Sequence, residues 1–312
     1  VIRYRIRHTT TYHYSAPVSL CHNKAHLTPR EHSFQHCHRV DFRIDPEPSV
    51  FHQRIDFFGN VASFFTVQQP HEKLAVTVES EVDVTTRAYP EAGETGPWEV
   101  ARKQLRGDLT EAGLESYEFC FDSPHVARSQ ELAAYAEPSF PIGRPYLEAV
   151  LDLNARIHKD FKYATATTTI STPITEVMRM RRGVCQDFAH LMIGCLRSMG
   201  LAARYVSGYL RTLPPPGKPR LVGADASHAW VAVFFPGVGW LDFDPTNNST
   251  PKGSHITLGW GRDYSDVSPI RGVMLGGGSH TIGVSVDVAP IEEALNTPVP
   301  VMPRPAVGGG PG

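Results

Sequence analysis

Residues 181–191, Arg-Arg-Gly-Val-Cys-Gln-Asp-Phe-Ala-His-Leu, constrain this chain more than any other stretch, because they fix where an amphipathic helix begins and place a thiol at that point. Gly183 is expected to supply a turn, with the helix starting near Cys185. Apolar residues then recur at Phe188, Leu191, Met192, Cys195, Leu196 and Met199, the spacing of one helical face. Gly200 stands where a C-terminal cap glycine belongs. Cys185 therefore falls in the first helical turn, beside unpaired backbone N–H groups and the positive end of the helix dipole. Both favour a thiolate, and the same N–H groups suit an oxyanion. A thiol so placed is a candidate nucleophile that needs a base.

A β-hairpin downstream supplies one. His228–Phe235 reads as a strand, Pro236-Gly237-Val238-Gly239 as a turn, and Trp240–Phe243 as the returning strand. Ala226-Ser227-His228-Ala229-Trp230 starts the first strand, and Asp242 and Asp244 end the second, so the hairpin brings His228 beside this pair of carboxylates. Alternation puts Asp242 and Asp244 on one face and does not separate them. Distance from the turn favours Asp244 as the partner of His228. Cys195 reads as core, His190 as structural, and Asp244-Pro245-Thr246 taken alone is a common turn. Together, a cysteine at a helix start and a hairpin carrying His and Asp form an arrangement for nucleophilic thiol chemistry.

The rest of the chain frames this site. Residues 1–90 read as an antiparallel β domain: Ile2, Tyr4 and Ile6 alternate with Arg3, Arg5 and Arg7. Further strands are expected at Ser33–Ile44, Phe51–Phe58, Val61–Val67 and Lys73–Val84, with a turn at Gly59-Asn60. Residues 91–122 read as a connecting segment. Residues 123–295 read as a catalytic core, with helices near 124–136 (Ser123 as cap, Pro124 at the first position), 145–160 and 173–181, then strands at Ala203–Leu210 and Thr281–Val288. Pro214–Gly217 reads as a loop and residues 296–312 as a Pro/Gly-rich disordered tail.

Composition excludes several classes. With 312 residues, 41% hydrophobic, and a net charge of −2, the chain has room for about two domains and no electrostatic case for nucleic acid or an anionic membrane. No apolar run reaches transmembrane length, and the start is not a secretory one. The chain opens at Val1 without Met, which is compatible with trimming. Five scattered cysteines (Cys21, Cys37, Cys120, Cys185, Cys195) form no zinc or disulfide pattern, so a reducing cytoplasm is expected. Eight of the fifteen histidines precede residue 53; His36 and His38 share a strand face but lack a spaced carboxylate or cysteine, and read as strand histidines rather than metal ligands.

Gly183-Val184-Cys185-Gln186-Asp187-Phe188-Ala189, Ser227-His228-Ala229-Trp230 and Gly239-Trp240-Leu241-Asp242-Phe243-Asp244-Pro245-Thr246, in that order, resemble the core of the transglutaminase-like superfamily. Ala202–Tyr209 fits the same core; Tyr4–Thr10 and Asp56–Asn60 resemble the β domain that precedes it in bacterial members. The resemblance implies an α+β fold, with helices packed on an antiparallel sheet in a papain-like core. It also implies a triad of Cys185, His228 and Asp244, and it places the orienting aspartate directly before Pro-Thr. No calcium-loop pattern occurs, so calcium dependence is not carried over, and no cofactor or metal is expected.

The leading expectation is a cysteine peptidase or amidase that acts on peptide or protein amides through a thioester. An amine-accepting transglutaminase shares the first half-reaction and is the alternative. A binding module on the same fold would be marked by loss of Cys, His or Asp, and a histidine-rich metal protein by sensitivity to chelator. The backbone N–H of Cys185 is the first candidate oxyanion donor, with Tyr163 and Gln186 behind it. The sequence sets neither substrate nor oligomeric state.

Overall fold

A computed structural model describes residues 1–165, 167–212 and 226–291; the loop expected at Pro214–Gly217 and the tail expected at 296–312 lie outside these residues. The chain begins with one long strand, β1 (Ile2–Ala25), around which the first sheet is built. Tyr4, Ile6, His8 and Thr10 are buried, while Arg3, Arg5 and Arg7 face out, as the alternation requires. Four strands follow: β2 (Gln35–Asp45), β3 (Val50–Ile55), β4 (Val61–Val67) and β5 (His71–Val84). Register in the β1–β5 pair sets Arg3, Arg5 and Arg7 opposite Asp83, Glu81 and Glu79, with side-chain contacts of 2.6, 3.1 and 3.6 Å. These exposed pairs contribute little stability but disfavour a slipped register. The β3–β4 turn falls at Gly59-Asn60, where the Asp56 carboxylate accepts the backbone N–H groups of Phe58 and Asn60.

The connecting segment is more ordered than expected. It contains α1 (Trp98–Gly107) and α2 (Glu111–Glu118). The burial of Trp98, Ala101 and Leu105 follows helical spacing, but α1 has Pro97 at its cap with no side-chain bond, so nothing local announced its start. The next helix, α3 (Gln130–Ala136), starts later than 124. Ser129, not Ser123, is its cap, accepting the Leu132 N–H at 3.2 Å. Ser123 instead forms a tight bridge with Val126, and Pro124 belongs to that turn.

Then come α4 (Tyr146–Asp160), β6 (Lys162–Tyr163), α5 (Ile174–Met180), β7 (Arg182–Gly183) and α6 (Cys185–Ser198), which ends just before Gly200 at φ +76°. A second antiparallel sheet follows, made of β8 (Ala203–Leu210), β9 (Ala226–Phe235), β10 (Gly239–Phe243) and β11 (His255–Gly261) in the order β10-β9-β8-β11. The sequence reading had no strand at β11. The helix α6 is wrapped on all sides: Ala189, Ile193 and Gly194, off the predicted stripe, are as buried as Leu191. It packs on β8 and β9 and against α3, α4 and α5. This is an α+β fold: an antiparallel β domain, then helices on an antiparallel sheet.

The last two strands, β12 (Ile270–Gly276) and β13 (His280–Pro290), return to the first sheet. β13 pairs with the first half of β1, from Tyr4↔Pro290 to Tyr14↔His280, and β12 pairs with its second half. A single block at 123–295 therefore does not describe how the strands pair. Strand pairing across some 280 residues leaves no local trace, so only the folded chain reveals it. The return ties the two sheets together: Tyr209, Ile256 and Leu258 of the second sheet share a core with Tyr4, Ile6 and Val288 of the first.

Candidate active site

Local chemistry builds the start of α6. Val184 is its cap residue, and the Asp187 carboxylate reaches back to accept the Val184 N–H at 2.8 Å and the Thr168 hydroxyl at 2.7 Å. Burial pushes the Asp187 carboxyl up against these bonds. Gly183 lies in the short strand β7 with no left-handed backbone angle. It is glycine for clearance: a Cβ there would stand 2.7 Å from Asp187 Oδ2. The expected turn role of Gly183 is thus replaced by a close approach. The cap leaves half-buried Cys185 as the first residue of the helix, at the positive end of its dipole.

His228 is near the start of β9, and Asp244 lies just past the end of β10. His228 Nε2 stands 2.8 Å from Asp244 Oδ2, and the imidazole also hydrogen-bonds the Cys185 side chain. Nε2 being committed to the carboxylate, Nδ1 is the nitrogen left for the thiol. Burial alone would lower the His228 pKa, but the bonds to Asp244 and Cys185 carry it up to about 9. Asp244 is fully buried. Burial would raise its carboxyl, but His228, His255 and Asn247 outweigh that and hold it well below the usual range. Its Oδ1 accepts the backbone N–H groups of Thr246 and Asn247 at 3.0 and 3.2 Å, so the Asp-Pro-Thr turn fixes the carboxylate's orientation.

Asp242 is in a different place. Its carboxyl lies near Arg204 and the Trp230 side chain, and burial raises its pKa. Between the two aspartates, His228 bonds Asp244. His190, in the core of α6, stacks on His125 at 5.6 Å and accepts the Tyr264 N–H at its Nε2. Burial lowers its pKa to about 3, so it is a neutral structural group. His36 and His38 meet edge to face at 4.5 Å on the surface, bonded to Glu31 and Asp83 respectively.

Two members of the site were missed in the sequence. His255 Nε2 approaches Asp244 Oδ2 at 3.1 Å, and Asn247 Nδ2 donates to the same oxygen at 2.7 Å. The Ser254-His255 start of β11 carries no periodic signal, and its arrival beside Asp244 depends on β11 pairing with β8. His228, Asp244 and His255 present three ligand-type atoms within 4.8 Å of one another, a spacing open to a metal ion. Asp244 Oδ2 already serves three N–H donors here, which accounts for the cluster through hydrogen bonds alone.

Cys185 and His228 open into a cleft of about 540 Å³ between the two sheets. The far wall comes from β1 and β13, including His8, Tyr12, Ile282 and Val284. Gln186 lines the same cleft. Tyr163, largely exposed, is close enough for the Cys185 charge to raise its pKa, with burial the larger cause.

The other thiols differ sharply. Cys21, Cys120 and Cys195 are buried. Burial pushes the thiols of Cys37 to about 11 and Cys120 to about 12, and Cys195 higher still. One equivalent of iodoacetamide near neutral pH is therefore expected to label Cys185 first, with activity falling in step. Peptide mapping that found Cys21 or Cys37 modified and Cys185 intact would refute this.

A thiol at the start of a helix and, on the antiparallel sheet that this helix packs against, an imidazole bonded to the thiol with a buried carboxylate behind it define a cysteine-based enzyme. The bacterial transglutaminase-like N-terminal region matches residues 4–83, and the transglutaminase-like superfamily core matches residues 135–245. This chain belongs to the transglutaminase-like superfamily. It is 44% identical over 299 residues to an uncharacterized protein of Mycobacterium tuberculosis, covering 93% of each chain. A protein-glutamine gamma-glutamyltransferase of Pseudomonas aeruginosa is 41% identical over 99 residues, which is 29% of this chain and 15% of that one. Among solved structures, a Cytophaga hutchinsonii protein described provisionally as a cysteine protease superposes with a TM-score of 0.72 at 20% identity, covering 95% of this chain and 92% of that one; at that identity the likeness concerns the fold.

Proposed function

We propose that Cys185, His228 and Asp244 act as a catalytic triad that cleaves an amide in a peptide or protein through a thioester. The observation that carries this reading is the His228 imidazole held between the Cys185 thiol and the buried Asp244 carboxylate. With the His228 pKa near 9, the imidazole holds a proton at neutral pH. The Cys185 sulfur attacks the carbonyl carbon, and the carbonyl oxygen takes the negative charge beside the N–H of Cys185. Collapse breaks the C–N bond as His228 gives its proton to the leaving amine. Water then attacks the thioester, His228 takes its proton, and the acid leaves as the thiolate re-forms. Ile282 and Val284, exposed on the cleft wall, fit an extended peptide with an apolar side chain.

Water is the acceptor we favour. A lysine-like amine would arrive as a cation, and among the described residues that line the cleft there is no carboxylate to receive it. The match to the Pseudomonas glutamyltransferase keeps amine acceptance as the second reading. Incubating the protein with a peptide library, with and without a primary amine, and separating products by mass distinguishes the two. Acids in both arms are expected; amides formed only with the amine would favour transamidation, and no product in either arm would remove the reading. Activity is expected to survive EDTA. Loss on chelation that calcium or zinc restores would refute a metal-free mechanism.

A further inference from the structure

A second cavity, of about 430 Å³, lies between the second sheet and residues 32–35, and neither Cys185 nor His228 lines it. Arg204, on β8, projects into it. The side chain is 9% exposed, and its guanidinium lies between the rings of Trp240 and Trp260, at 4.2 and 3.7 Å. Arg30 also stacks on Trp260, at 3.5 Å.

Among the described residues the Arg204 guanidinium donates no hydrogen bond and forms no ion pair, and its Nε is buried without a partner. The contrast with Arg197 is direct. That guanidinium, also buried, donates to the carbonyls of Phe119, Ala203 and Arg262 and to the Ser123 hydroxyl. The fold thus gives every nitrogen of one buried guanidinium an acceptor and leaves the other facing a cavity. A buried cation without hydrogen-bond partners is costly. Burial pulls the Arg204 pKa down to about 9, Arg30 and Arg87 add to that, and Asp242 opposes it without reaching ion-pair distance. Arg87 is itself occupied by the carbonyls of Trp240 and Val238.

We propose that this cavity binds a small organic monocarboxylate, which takes two parallel N–H bonds from Arg204 while its body rests on the indole walls. The planar guanidinium fork matches a carboxylate bidentately. One unpartnered guanidinium, with Asp242 in the same cavity, disfavours a dianion such as phosphate. Trp230, Trp240 and Trp260 give an apolar lining that suits a carbon skeleton.

Three of the chain's four tryptophans line this cavity, and none lines the catalytic cleft, so tryptophan emission reports on this site. Benzoate is expected to change the emission saturably. Benzamide, the neutral isostere, and inorganic phosphate should bind at least tenfold more weakly. Arg204→Lys should lose at least tenfold in affinity, because an ammonium lacks the fork, and Arg204→Gln should abolish the response. Glu115→Gln removes an exposed carboxylate from the same cavity's lining and should tighten binding about twofold or more, a result that does not depend on the arginine variants folding. A response to benzamide or phosphate equal to that of benzoate, an undiminished response in folded Arg204→Gln, or no saturable response to benzoate in the unmodified protein would overturn the proposal.

Discussion

Cys185→Ala is expected to leave a folded protein whose turnover is lower by a factor on the order of 10⁴ to 10⁶. The side chain is half-buried at the edge of the helical core, and the cap of α6 is made by Asp187 and Val184, not by the thiol. Loss of the sulfur should change stability by no more than about 1 kcal/mol. His228→Ala should lose a similar share of rate, because sulfur and imidazole act on one proton. The double variant should then be little slower than either single one. Turnover and thermal melts on all three variants check this; modest losses that add up would contradict a nucleophile–base pair.

Asp244→Asn should lower turnover by a factor on the order of 10⁴, whereas Asp242→Asn should cost far less. An amide at 244 keeps an acceptor for the Thr246 and Asn247 N–H groups but turns an N–H₂ toward His228. The ring must then accept at Nε2 and carry its proton on Nδ1, which prevents it from taking one from the thiol. The opposite ranking of the two variants, measured on folded protein, would move the orienting role to Asp242.

The same substitution has a signature in stability. The folded pKa of His228, about 9, lies above its ordinary 6.5. Its protonation therefore stabilises the fold fully below about pH 6.5, and that contribution is lost as pH rises through about 9. The carboxyl of Asp244 is depressed from its ordinary 3.8, so its contribution is present above that value and lost as pH falls. Together the pair supports the fold most between about pH 4 and 6.5. Melting temperature against pH should show both slopes in the unmodified protein and neither in Asp244→Asn; an unchanged profile would show that the pair is not coupled to folding.

Amino-acid order alone determined the features that rest on neighbours in the chain. The start of α6 at Cys185, the β9–β10 hairpin that brings His228 near Asp244, and the alternation in β1 depend on helical period, strand alternation and turn residues, which act within a few residues. The motifs were also specific enough to identify the superfamily. Local signals misled where two caps competed, as at Ser123 and Ser129, and where helix starts lacked one, as at α1. The tertiary structure decided what depends on distant pairing. β11 brings His255 to Asp244, and the return of β12 and β13 to β1 turns the amino-terminal domain into a wall of the cleft at Cys185. Packing of β8 against the indoles of β10 and β11 leaves the Arg204 guanidinium buried between two rings with no hydrogen-bond partner among the described residues. A residue's partners across a sheet are set by strand order and register, and neither is written in the residue's own neighbourhood.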